Sequence, residues 1–207
     1  MNPKYFINEN GIANGEVRVD DDRTITAAQR GLLFALFRDI SVHSTGYKTE
    51  NLVEEVKEDL KAKFCVDRKH EHFSLSDVSI LVAGEFIDYV LEFTFSHGIP
   101  LKFKTFEVAK EWRDWSYLCF RYRECTICRK KQAEVHHLEA VGRGMNRNKV
   151  NHSKMPLIML CRYHHQEAHN IGNESFCRKY YVAGIFVDVA TLKALNVRGE
   201  YGEEANV

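Results

Sequence analysis

Cys125-Thr-Ile-Cys128, Glu134-Val-His136-His137 and Cys161-Arg-Tyr-His164-His165-Gln-Glu-Ala-His169 fall within 45 residues, and the reading of this stretch decides the fold. It holds six of the ten histidines and three of the six cysteines. Cys125-x2-Cys128 and Cys161-x2-His164 together make a Cys3His set. Each short spacing brings two ligands within reach of one point, and the second pair closes a tetrahedron. The alternative is that these cysteines are coincidental core residues, but four ligand-type residues at paired spacing argue for a structural zinc. A module of about 50 residues has little core of its own, so the metal would supply folding free energy on the order of 10 kcal/mol.

With those four set aside, His136, His137, His165 and His169 remain. His165 and His169 are four apart, so on a helix they share one face and can bind one metal together. An extended Glu134–His137 segment sends His136 and His137 to opposite faces, so one can ligate while its neighbour accepts a proton. A structural zinc does not need this surplus of imidazoles. The competing readings are a second structural zinc or simple surface histidines. Cys65, Cys119 and Cys177 lack ligand spacing and read as small buried hydrophobes.

Charge is segregated around the same stretch. The 207-residue chain is neutral overall, with 29 Lys/Arg and 29 Asp/Glu, yet residues 121–165 carry 10 basic residues against 3 acidic ones. Residues 1–120 carry 15 against 20. A local basic excess of this kind points to a polyanionic partner. Arg143, Arg147 and Lys149 stand among glycines in Val141-Gly-Arg-Gly-Met-Asn-Arg-Asn-Lys149, where guanidinium and backbone groups can approach phosphate; a solvated loop is the alternative. Arg121, Arg123, Arg129, Lys130 and Lys131 extend the same track. No run approaches the roughly 20 apolar residues of a membrane span, and no signal-peptide pattern opens the chain, so the expected location is cytoplasmic.

The N-terminal part reads as mainly helical. Residues 4–8 and 16–19 suggest a small hairpin around Asn10-Gly11 and Asn14-Gly15. Asp20, Asp21 and Asp22 read as a solvated turn. A helix capped by Thr24 or Thr26 carries Leu32, Leu33, Leu36, Phe37 and Ile40 and ends near Gly46. Further helices are expected over about 50–64, over 77–96 with Ser76 as cap, and over 107–122. His70 and His72 read as exposed. After His169 a short helix near 174–181 precedes the apolar Ile185-Phe-Val, and 198–207 reads as a frayed tail.

The order C-x2-C, His-His, C-x2-H and H-x3-H resembles the zinc-ribbon branch of the HNH (ββα-metal) endonucleases over about residues 119–182. That likeness implies that His137 is the general base. It also implies that His136, His165 and His169 hold one divalent ion, Mg2+ or Mn2+. The family carries an Asn before the closing helix, whereas Pro156 stands nine residues before His165 here. Asn146, Asn148, Asn151 and His152 are the nearby candidates, with Asn151 and His152 ranked first. The run from Val141-Gly-Arg-Gly to Gly172 is similar to HNH nucleases of bacteriophage recombination modules. Ile25-Thr-Ala-Ala-Gln-Arg30 is faintly similar to phage Orf (NinB)-type recombination mediators, which bind single-stranded and branched DNA as dimers.

Together these readings give an α+β chain: a helical N-terminal domain with a small hairpin (1–118), a zinc-pinned ββα nuclease module (119–185) and a tail (186–207). The implied function is metal-dependent hydrolysis of DNA phosphodiester bonds, on branched or single-stranded DNA in phage recombination, within the host cytoplasm. The N-terminal domain would supply dimerisation, choice of DNA structure, or both. The alternative class is a non-catalytic DNA-binding recombination mediator.

Overall fold

The computed structural model describes residues 23–139 and 150–201, together with the backbone of residues 6–7 and 13–14. The chain is α+β, with its helices concentrated in the N-terminal half. Phe6–Ile7 (β1) pairs antiparallel with Ala13–Asn14 (β2); Asn10-Gly11 lies outside the described residues. Asn14-Gly15 is not the turn of this pair: Asn14 sits in β2 opposite Phe6. Asp20, Asp21 and Asp22 lie outside the described residues.

The first helix, Ala27–Thr45 (α1), begins where Thr26 and Gln29 form a reciprocal capping box. It ends at Gly46, which takes a left-handed conformation (φ 80°) that costs glycine little. Glu50–Arg68 (α2) is one turn longer than its apolar stripe suggests. The most apolar helix, Ile80–Ser96 (α3), is capped by Ser79 and not by Ser76. The residues before it form a turn in which Asp77 and Val78 donate to Ser74 O, and Val78–Ser79 then pair with the segment before α1, Ile25 donating to Val78 O and Ile80 to Arg23 O.

The helix expected over 107–122 is two helices, Phe103–Ala109 (α4) and Trp115–Arg121 (α5). The elbow between them turns Trp112 Nε1 and Arg113 onto the Asp88 carboxylate of α3. It also buries Trp115, whose indole N–H donates to Thr126 O at 3.0 Å. These tertiary partners outweigh the continuous helical periodicity.

Buried side chains sort into two cores. One runs from Ile25 to Cys119 and is centred on Phe37, Phe64 and Phe86, whose rings meet at 5.2–6.1 Å. The other runs from Phe120 to Leu192. Between them the mostly buried side chain of Arg129 pairs with Glu124 (Nε to Oε2 2.6 Å), donates to Ile99 O, and lies over the Phe95 ring. Arg129 therefore ties the cores together and does not belong to a surface phosphate track. Arg121 is paired with Glu92, and Arg123 donates to Leu195 O.

In the second core Glu134–His137 (β3) pairs antiparallel with Leu157–Leu160 (β4), His137 opposite Leu157. All four β4 residues are buried. Ile185 bridges Leu157 on the far edge with two backbone hydrogen bonds. Arg162–Ile171 (α6) follows β4 and packs on both strands, completing a ββα unit. Asn173–Tyr180 (α7) and Val189–Ala194 (α8) complete this part. Residues 186–201 are not a loose tail. Val187 and Leu192 are buried, and the chain stays hydrogen-bonded through Tyr201. Two smaller expectations also change. His70 is half-buried, stacked on Phe64 and 2.9 Å from Glu85, and of the three unpaired cysteines only Cys119 is fully buried. Among the described residues no helix is long and apolar enough to cross a membrane.

Candidate active site

Two ligand clusters meet different faces of α6. At the first, Cys125 and Cys128 come from the turn after α5, Cys161 caps α6, and His164 lies in its first turn. Nδ1 of His164 is 3.4, 3.6 and 3.3 Å from the sulfurs of Cys125, Cys128 and Cys161, and Cys128 Sγ is 3.8 Å from Cys161 Sγ. A tetrahedral zinc with ordinary bond lengths has edges of about 3.8 Å between sulfurs and about 3.5 Å between sulfur and nitrogen. The four side chains therefore fit that ion without rearrangement. The Cys128 thiol is pulled well below its ordinary range, chiefly by the hydrogen bond it shares with Cys125, while the Cys125 thiol is pushed up by the same bond and by burial. A thiolate already favoured at Cys128 is the chemistry a zinc site requires. About one zinc per chain is expected to copurify, and elemental analysis of purified protein checks it.

At the second cluster the rings of His136, His165 and His169 meet at 4.8–5.0 Å, and their donor nitrogens lie within 4.8 Å of one another. Alternation along β3 turns Glu134 and His136 toward α6, and the four-residue spacing on α6 brings His165 and His169 to meet them. His136 is only 3% exposed, and burial, with the two neighbouring imidazoles, holds its pKa below the usual histidine value. It is thus neutral near pH 7, the form that ligates a metal.

The atoms behind these rings set which nitrogen faces the cluster. Asn173 Oδ1 sits 2.9 Å from His136 Nε2, and its Nδ2 donates to the carbonyls of His137 and Leu138. The amide orientation is therefore fixed, His136 carries its proton on Nε2, and Nδ1 is left for a ligand. Glu134 Oε2 lies 3.0 Å from His165 Nδ1, which turns Nε2 of that ring inward. Carboxylate and amide partners of this kind orient metal-binding imidazoles. Neither Asn173 nor Glu134 belongs to the ligand pattern of the motif. Glu134 lies two residues from His136, which on a strand is the same face, and that signal was readable. Asn173, 37 residues away, offered none.

His137 turns to the other side of β3. Its Nε2 is 2.8 Å from His152 Nδ1, and Nε2 of His152 is 3.0 Å from Arg198 O. Of the candidates for the central motif position, Asn151 instead caps the short 3-10 turn His152–Lys154, accepting from Ser153 N and Oγ. His152, the other described candidate, reaches a motif histidine. Arg143, Arg147, Lys149, Asn146 and Asn148 lie outside the described residues.

A family model described as "Putative HNHc nuclease" matches residues 2–199, nearly the whole chain. No curated protein and no solved structure matches the chain significantly.

Proposed function

The chain belongs to the HNHc nuclease family, and on that premise we propose that it is a metal-dependent endonuclease that hydrolyses DNA phosphodiester bonds. The observation that carries this reading is the separation of two donor sets on neighbouring residues of α6. A closed Cys3His set leaves no position for substrate, whereas a three-histidine set backed by Glu134 and Asn173 has the open coordination that chemistry needs. His136, His165 and His169 would hold the ion.

A divalent cation bound there, Mg2+ or Mn2+, supplies Lewis-acid stabilisation of charge on the phosphate and the departing 3′ oxygen. The remaining work falls to the chain's own residues. Asn173 and Glu134 keep two of the imidazoles aimed at the cluster. His137, adjacent to His136 but outside the donor set, takes the proton from the attacking water, and a neutral imidazole suits that task near pH 7. Arg143, Arg147 and Lys149 would contact flanking phosphates. The helical N-terminal domain would supply dimerisation, selection of branched or single-stranded DNA, or both, in recombination.

The decisive test is cleavage of linear, flapped and four-way DNA with Mg2+ or Mn2+, run beside His137→Ala. The expected result is metal-dependent cleavage by the native protein, and a loss of about 100-fold or more in His137→Ala with DNA binding retained. Full cleavage by His137→Ala removes His137 as the base. Intact substrates under every condition, with DNA bound, favour the non-catalytic mediator. Binding is also expected to weaken steeply between low and physiological salt as phosphate contacts release counterions, with a smaller slope in Arg143→Ala. Titrations at several salt concentrations measure this.

A further inference from the structure

Both tryptophans of the chain line one cavity, to which neither ligand cluster contributes. It measures about 290 Å3 and lies where the two cores meet. Trp112 and Trp115 come from the elbow between α4 and α5, Ile127 from the cysteine turn, and Tyr181 and Ile185 from the segment after α7. The indole N–H groups are already committed, Trp112 to Asp88 and Trp115 to Thr126 O. What these rings can offer a ligand is therefore aromatic surface.

Tyr181 is the part of this wall that the fold itself does not satisfy. Its backbone is left-handed (φ 52°) at the end of α7, a conformation that glycine or asparagine adopts at less cost. Its side chain is 88% exposed, so burial of the ring offers no compensation. A bulky aromatic held in this way at the mouth of a cavity is placed for something that covers it.

The cavity is also close to the three-histidine site. Ile185 bridges Leu157, and Leu157 pairs with His137, so two strand spacings, about 10 Å, separate the backbones of Ile185 and His137. Gly184 lets the segment lie against the end of β3. A Cβ there would be 2.8 Å from Leu138 Cδ1 and 2.9 Å from Pro156 Cβ, closer than real contacts allow. Lys110 and Arg113 also line the cavity, but each is paired with a carboxylate, Glu107 and Asp88. The site is built for an aromatic group and not for a free anion.

We infer that this cavity is a nucleobase pocket: it takes one unpaired base, a few nucleotides at most from the bond that is cut, and stacks it on the aromatic wall that Tyr181 completes. The inference rests on the nuclease reading and gives its substrate a structural requirement. A base within a duplex has its faces covered by its neighbours, whereas an unpaired base can leave the stack and enter a pocket. The pocket therefore favours single-stranded DNA, or the unpaired positions of branched DNA, over plain duplex. Sequence preference is weak, because every base has a π face.

The test uses the intact, zinc-loaded protein without added Mg2+ or Mn2+. Because both tryptophans line the cavity, their emission reports on it directly. A single strand of about 12 nucleotides is expected to quench that emission by roughly half, and the duplex of the same sequence to leave it nearly unchanged. Tyr181→Ala is expected to bind the single strand about tenfold more weakly with duplex affinity unaltered, and Tyr181→Phe, which keeps the ring, to match the native protein. One abasic position walked along the strand should cost affinity at one place in the native protein and nowhere in Tyr181→Ala. Unchanged tryptophan emission with the single strand bound overturns the inference, even if Tyr181→Ala fails to fold. So does equal quenching by duplex, or a folded Tyr181→Ala within twofold of native affinity for the single strand. None of these outcomes touches cleavage. The nuclease reading fails separately, when the native protein with Mg2+ or Mn2+ leaves every DNA substrate intact, and a protein that also binds no single strand removes the pocket with it.

Discussion

Cys125→Ser is expected to release the zinc, unfold the second core and abolish cleavage, while α1–α3 stay folded. Cys125 is fully buried, and its sulfur is one corner of a set whose other corners come from the turn after α5 and from the start of α6. Without the ion, two thiols and an imidazole gathered in a small core have nothing to hold them together. The core that remains around β3 and β4 is too small to replace a contribution on the order of 10 kcal/mol. The first core has its own phenylalanine cluster and needs no metal. The measurement is zinc content together with hydrogen exchange resolved by residue. Protection should disappear from β3, β4 and α6 and persist in α1–α3, and added Mg2+ should not restore cleavage. A Cys125→Ser protein that lacks zinc yet keeps β3 and β4 protected would show that the metal does not hold this part of the fold.

The features that sequence made legible are those whose partners are close in the chain. The Cys3His set could be read because ligand spacing within each pair is local, and the pairing of His165 with His169 because a helix turn fixes it. α1 could be read because Thr26 and Gln29 cap it within one turn. Distance in sequence is what hid the rest. The break between α4 and α5 depends on Asp88 and Thr126, 24 and 11 residues from the side chains they receive, and no periodicity encodes that. Arg129 reads as one more cation in a basic run, and only the fold reveals Glu124, Ile99 and Phe95 around it. The same holds for residues 197–201. Their composition is that of a tail, and their order comes from Val150 and His152, about 50 residues earlier. A glycine in a polar stretch signals freedom by itself, whereas Gly199 is required by a tight approach.

His164→Ala and His165→Ala are expected to give opposite phenotypes although the residues are adjacent. Consecutive positions on an α-helix point about 100° apart, which is enough to send neighbours into different sites. His164 faces the three cysteines and packs beside Phe176 and Tyr180. His165 faces His136, stacks on His169 and is held by Glu134. His164→Ala should therefore behave like Cys125→Ser, losing zinc and the second core together. His165→Ala should keep one zinc per chain and an unchanged circular dichroism spectrum, while cleavage falls by about three orders of magnitude because one of three catalytic ligands is gone. Glu134→Gln provides an intermediate case. The neutral amide still reaches His165 but orients it less firmly, so a loss of about 10–100-fold is expected, with a higher Mg2+ or Mn2+ requirement. Zinc analysis, circular dichroism and cleavage rates across a metal titration separate the three variants. Loss of zinc from His165→Ala, or cleavage by a zinc-loaded His164→Ala, would mean that the two metals are assigned to the wrong neighbours.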